Sequence, residues 1–381
     1  MFGPLETPSA DALRLAVRRL ADEDPQHRLF LRLDRRRLRW IHPGPAEIDA
    51  RCASLVEDGL DLTRPDRTVE RLLGRDLGDE PVRLLVGPDG AGAVFSHAFA
   101  DGSYINALLP ELLHAARDDR APRLPVEQAP RLFRTVARFY LTRPARIARL
   151  LGAPRGTPAP EAYGAGAPRW SVLSARSAPG FYDELRDRRA AEGRRATMAA
   201  MLFAAARRAA ERRLGLAGNG LTVVADCRRY AGGHIPGSFS TGLRLAVADP
   251  RSPEAVGEAL QTALAAGRPL ATLVLAALGS LRSRAEAAPC RPDLCLSYLG
   301  QLRTYRDLPW LDDGLATYLG IGTPHNPGEV DLTLVELAGA LQVTAIFDRG
   351  RYAPADVAAL LDDLVGSPAE ALGYPAPAAV R

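Results

Sequence analysis

Residues 96–102, "SHAFADG", hold one histidine in a run of apolar and small residues and follow it with Asp101-Gly102. An imidazole with an ordinary pKa of about 6.5 can take a proton from an attacking nucleophile at neutral pH, which makes His97 a candidate general base. The plain alternative is a satisfied core histidine. Asp101, four residues on, has the spacing of a triad acid that orients the ring. It also has the spacing of a helix N-cap before "GSYINALL". Gly102 would let the backbone turn tightly and come close to a substrate.

The elements that must position these groups follow from periodicity. "VRLLVGPDGAGAVFSHAF" reads as a hairpin around a Gly-Pro-Asp-Gly turn, with Val82, Leu84 and Val86 on one arm and Ala93, Phe95 and His97 on the other. His97 is therefore expected at a strand end beside Phe95, with Ser96 pointing the opposite way. Residues 103–117 carry Ile105, Leu108, Leu109 and Leu112 at helical spacing, so the segment between His97 and Asp101 reads as a strand-to-helix turn. Upstream, 9–23 reads as a helix with Ser9 as N-cap, 27–34 as a strand and 47–60 as a helix. Downstream come a strand at 169–178, two helical stretches, the strand "LTVVADCR", a glycine-rich turn and the strand "LRLAVAD". The strand "LCLSYLGQL", a hairpin at 331–348 and a terminal helix "APADVAALLDDLV" close the pattern. Strands and hairpins mixed with helices point to a mixed α/β, α+β sandwich type of fold. At 381 residues two domains are expected, and the Pro, Gly and Ala-rich 153–169 divides them, giving 1–160 and 161–381.

Bulk properties exclude several function classes. With 47% hydrophobic and 25% charged residues the chain reads as globular. The net charge of +4 implies no nucleic acid, and the absence of any lysine means that arginine counts carry little weight. Cys52, Cys227, Cys290 and Cys295 form no CxxC pair and no zinc spacing, so no metal is expected. The longest apolar run, 270–281, is too short to span a bilayer, no leader is evident, and a cytoplasmic setting is the default expectation. No GxxxxGK[ST] phosphate loop supports a nucleotide-dependent ligase, and no G-x-S-x-G elbow supports an acyl-enzyme. Arg131, Arg134 and Arg138, then Arg146 and Arg149 after Pro144, form a basic stripe that is either a solvated face or a dock for an acidic carrier protein or coenzyme A phosphates.

"SHAFADG" resembles the HHxxxDG motif of the chloramphenicol acetyltransferase-like acyltransferases, which include nonribosomal peptide synthetase condensation domains, polyketide-associated acyltransferases and wax ester synthases. The order of later segments is similar too. "LTVVADCRRY" looks like the family's Asp-x-Arg strand, "IPGSFSTGLRLAV" like its Gly-Asn-Phe turn, "LSYLG" like its Ser-Asn-Leu-Gly segment, and 339–364 like its closing hairpin and helix. The resemblance spans about 80–365 and implies two similar subdomains in a V-shaped pseudo-dimer, with His97 at the middle of an interdomain tunnel.

It further implies acyl transfer from a thioester, on a carrier protein or coenzyme A, to an amine or hydroxyl of a small-molecule acceptor. The phosphopantetheine thioester would be substrate, with no bound cofactor. Asp101 would then be structural, with Arg228 as ion-pair partner and Gly102 shaping the loop. Ser240 and Ser297 are candidate oxyanion donors, and His234 and His325 either line the tunnel or face solvent. Three departures stand out: Ser96 replaces the first motif histidine, Tyr298 replaces an asparagine, and no Asp-Phe-Gly-Trp-Gly element occurs. Cyclisation or dehydration at His97, or a non-catalytic module that recruits enzymes to a carrier protein, are the alternatives.

Overall fold

The computed structural model describes residues 1–34, 36–37, 39–73, 75–125, 132–152, 167–231, 235, 237–280, 293–324, 326–366 and 371–372. In chain order the elements are β1 (Phe2–Gly3), α1 (Ala10–Glu23), β2 (Arg32–Asp34), β3 (Arg39–Ile41), α2 (Ile48–Leu55), β4 (Val56–Asp58), α3 (Pro65–Leu73), β5 (Val82–Val86), β6 (Ala91–Phe95) and α4 (Gly102–Arg117). There follow α5 (Leu132–Leu141), α6 (Ala145–Gly152), β7 (Trp170–Arg176), α7 (Phe181–Ala191), α8 (Met198–Leu214), β8 (Gly220–Asp226), β9 (Ser240–Ala246), α9 (Pro253–Ala265) and α10 (Arg268–Ser280). β10 (Asp293–Gln301), β11 (Thr317–Tyr318), β12 (Glu329–Leu337), β13 (Ala340–Asp348) and α11 (Pro354–Val365) complete the order. The mixed α/β class expected from the pattern is the one observed. No single helix among the described residues is long and apolar enough to cross a membrane.

The chain forms two compact units, and neither is one continuous stretch. Unit 1 comprises Met1–Gln128, His234–Ser238 and Leu302–Leu319, and unit 2 the remainder. This differs from a single cut near residue 160, for two physical reasons. First, β11 returns to pair with β1 (Phe2↔Tyr318), and Phe2 packs edge-on against Tyr305 at 4.7 Å, so 302–319 belongs with the N-terminus. Second, α5 is tied to the start of α10: the buried Tyr140 hydroxyl donates to the Ala266 and Gly267 carbonyls at 3.1 and 2.9 Å. The proposed linker lies mostly outside the described residues.

Unit 1 is a sheet of order β11-β1-β6-β5-β4, covered by α1 and α4. Ser9 caps α1 as its sequence position foretold, its hydroxyl accepting from the Ala12 N–H at 3.1 Å. Leu13, Val17 and Leu20 of α1 and Leu108, Leu109 and Leu112 of α4 are buried at the spacing of a helical stripe. The expected helix over 47–60 stops at Leu55, and Val56–Asp58 instead pairs in parallel with β5, where β-branched Val56 fits a pleated surface. Similarly, 27–34 begins as a short 3-10 helix (Arg28–Phe30) before β2.

Unit 2 is a sheet of order β7-β13-β12-β10-β8-β9, with β10 parallel to β8 and β12. Its core sets Leu221, Val223, Leu296, Leu332, Val343 and Phe347 of the sheet against α8, α9 and α11. α8 is rich in buried alanines (Ala200, Ala204, Ala205, Ala206, Ala209), and the short side chains let a helix buried nearly all round lie close to its neighbours.

Candidate functional site

The hairpin that carries His97 is built as its pattern suggests. Gly87 N–H donates to the Gly90 carbonyl at 2.9 Å, and Val82↔Phe95 is the last full pair of β5 with β6. A Cβ on Gly87 would meet the backbone of Leu60 within van der Waals overlap, which explains a glycine at that corner. The strand stops at Phe95, two residues earlier than expected. Ser96 N–H still donates to the Pro81 carbonyl at 2.8 Å, but Pro81 has no N–H to return, so the ladder cannot continue.

His97 therefore lies in a turn and not in the strand, and period-two alternation does not govern which way it or Ser96 points. The turn is clamped by Ser96 itself. Its carbonyl accepts from Phe99 and Ala100 N–H at 2.8 and 3.2 Å, and its hydroxyl accepts from Ala98 N–H at 3.3 Å. The hydroxyl in the place of the first motif histidine thus shapes the loop. His97 is exposed, with its ring centroid 6.0 Å from that of Phe95, whereas Phe99 and Ala100 are fully buried. The segment is anchored at its far end, and the imidazole it carries is exposed.

Asp101 is 2% exposed and is the N-cap of α4: its Oδ1 accepts from Tyr104 N–H at 3.1 Å and its carbonyl from Ile105 N–H at 3.2 Å. The cap role weighed from the sequence is the observed one. Gly102 is the first residue of α4 and has no positive φ, so left-handed geometry is not what a glycine supplies there.

A residue that the sequence reading missed holds this loop from beneath. Arg28 donates to the Phe99 carbonyl at 2.5 Å, and its guanidinium carbon lies 5.1 Å from the Phe99 ring centre and 5.5 Å from that of Tyr104. The contact joins residues 71 positions apart, and no local pattern marks it. Gly237, at φ +86°, approaches the same guanidinium so closely that a Cβ would stand 2.6 Å from it. A second missed anchor is Asn106 of α4, whose Oδ1 accepts from the Tyr305 and Tyr318 hydroxyls at 2.8 and 3.0 Å. Burial pushes the Tyr318 phenol up to about 12, so it is a lasting neutral donor.

The other candidates lie in unit 2. Arg228 donates from its N–H and its side chain to Asp226 Oδ1 at 2.8 and 3.3 Å. Ser240 opens β9 opposite Asp226, and Ser297 sits in β10 opposite Thr333; both are half-buried. Arg134 and Arg138 are exposed on α5, with Phe133 beside them 63% exposed. Arg131, His234 and His325 lie outside the described residues. Also in unit 2, a cleft of ≈ 290 Å³ is lined by Ala199, Phe203, Val223, Leu260, Leu264, Arg229 and Tyr298 among others, and includes none of the loop residues around His97. Among the described residues no three His, Cys, Asp or Glu groups stand together as a metal site.

No protein-family model and no curated protein sequence matches the chain. Solved structures do. The chain is similar to the first condensation domain of the CDA synthetase, at 19% identity and TM-score 0.62, covering 99% of this chain and 91% of that one. It is similar to the epimerization domain from the third module of tyrocidine synthetase B, at 15% identity and TM-score 0.60, covering 98% and 89%. The SgcC5 protein from Streptomyces globisporus is similar at 17% identity and TM-score 0.61, covering 98% and 92%. With nearly full coverage on both sides, the chain has the fold of these condensation and epimerization domains.

Proposed function

We propose that this protein is a condensation-like acyltransferase that moves an acyl group from a phosphopantetheine thioester to an amine or hydroxyl acceptor in natural product assembly. The observation that carries the reading is the loop itself: an exposed imidazole on a turn clamped by Ser96, with the helix behind it capped by a buried Asp101. In the proposed step His97 takes the acceptor's proton as its nitrogen or oxygen attacks the thioester carbonyl. The carbon–sulfur bond then breaks, and the proton leaves with the thiolate. Arg28 and Asp101 act as positioning residues, because each fixes the backbone from which the imidazole projects.

The donor carrier is an acyl or peptidyl carrier protein or coenzyme A. Exposed Arg134 and Arg138 suit an acidic carrier surface or phosphates. The test offers the full chain a panel of acyl thioesters, on carrier protein and on coenzyme A, with amine and alcohol acceptors, and reads products by mass spectrometry. Acylated acceptor that vanishes with His97→Ala supports the reading; product formation that survives His97→Ala overturns it.

A second reading, a module that recruits partner enzymes to a carrier protein, draws on the exposed Phe133, Leu141, Ile147 and Leu151 among the arginines of α5 and α6. Loss of pathway product on charge reversal at Arg134 and Arg138, with His97→Ala harmless, would favour it.

A further inference from the structure

The cleft in unit 2 has a floor and a charged mouth of different chemistry. Ala199 and Phe203 of α8, Val223 and Ala225 of β8, and Leu260 and Leu264 of α9 line it with hydrocarbon. It opens at the carboxyl end of β8, which runs parallel to β10, and in open sheets with parallel strands ligands settle beyond the carboxyl ends. Its ≈ 290 Å³, at about 30 Å³ for each water-sized group, leaves room for roughly ten heavy atoms.

Two charged residues reach its lining, Asp226 and Arg229. The Asp226 Oδ1 is already committed to Arg228, accepting from its N–H and its guanidinium. Arg229 is exposed and makes no ion pair among the described residues, its guanidinium lying only over the Tyr230 ring at 5.8 Å. Arg229 is therefore the charged lining group left to pair with a ligand. Tyr298 of β10 adds a phenol that burial keeps above its ordinary pKa and hence neutral.

We propose that this cleft is a binding site for an apolar monocarboxylate of about eight carbons, with its hydrocarbon body against Ala199, Leu260 and Tyr298 and its carboxylate on Arg229. The site lies wholly within unit 2 and does not depend on His97 acting as a base. A bidentate guanidinium gives the carboxylate both orientation and charge pairing.

Calorimetric titration of the full chain with octanoate, octanol and octylamine, each below its aggregation concentration, tests this. Octanoate is expected to bind most tightly and octylamine most weakly. Arg229→Gln should weaken octanoate about tenfold while leaving octanol unchanged. Ala199→Leu fills the floor without disfavouring the helix and should abolish binding of both, with far-ultraviolet circular dichroism checking the fold. His97→Ala should leave binding intact, which separates failure of this site from failure of acyl transfer. Absence of saturable octanoate binding, a preference for octylamine, or octanoate binding unaffected by Ala199→Leu would overturn the assignment.

Discussion

Two aspartates cap the helices that follow β6 and β8, and they have opposite characters. In the loop after β6, Asp101 is buried and caps a sixteen-residue helix, with an exposed histidine four residues before it. At the end of β8, Asp226 is 45% exposed at its side chain and caps only the short 3-10 helix Cys227–Tyr230, with an exposed arginine three residues after it. The same capping chemistry thus makes a rigid pedestal in one place and a shallow rim in the other. A buried cap denies water the chance to replace it, so the loop before it is held more tightly than the loop after Asp226.

The largest effect that sharpens this contrast is kinetic. His97→Ala should lower the proposed transfer by about 10² to 10⁴ while leaving the melting temperature almost unchanged, because the ring is exposed. A large loss of stability instead would mean that the histidine is structural. Next, Asp101→Ala should cost about 2 kcal/mol by denaturant titration and Asp226→Ala about 0.5 kcal/mol. Equal costs would erase the distinction between pedestal and rim, and Asp101→Asn, which can still cap, should recover most of the loss. Arg28→Met should cost about 1 kcal/mol and reduce turnover more than it reduces acceptor affinity, since it frees the Phe99 carbonyl beneath the loop.

The smallest effect is confined to the short helix that Asp226 caps. Tyr230 donates to the Leu264 carbonyl at 2.8 Å, and burial pushes its phenol up to about 12 from an ordinary 10. A raised folded value means that the phenol's stabilising contribution is full below pH 10 and is lost as pH climbs from 10 towards 12. Tyr230→Phe should flatten melting temperature against pH in that window and, at lower pH, cost a constant amount of about 0.5 kcal/mol for the lost hydrogen bond.

Much of this was legible from local pattern. Ser9, the 87–90 turn, the helix after Asp101, and the strands and helices of unit 2 all obey periodicity and capping rules that operate within a few residues. Arg28 beneath Phe99, the Tyr305 and Tyr318 hydroxyls on Asn106, and the pairing of Phe2 with Tyr318 were not, because each joins positions far apart in the chain. The misplacement of His97 on the strand had another origin. Alternation continued through the sequence, but Pro81 on the neighbouring strand lacked the donor needed to extend the ladder.

The return of 302–319 to the N-terminal sheet bears on how the protein can be made. As the chain leaves the ribosome, β1 has β6 on one side and bare backbone on the other until Tyr318 emerges about two hundred residues after α4 is finished. A nascent or recombinant fragment ending before that point would present an open β-edge beside Phe2, inviting pairing with other chains. Attempts to produce the first unit alone should therefore supply the 302–319 segment, by fusion or in trans.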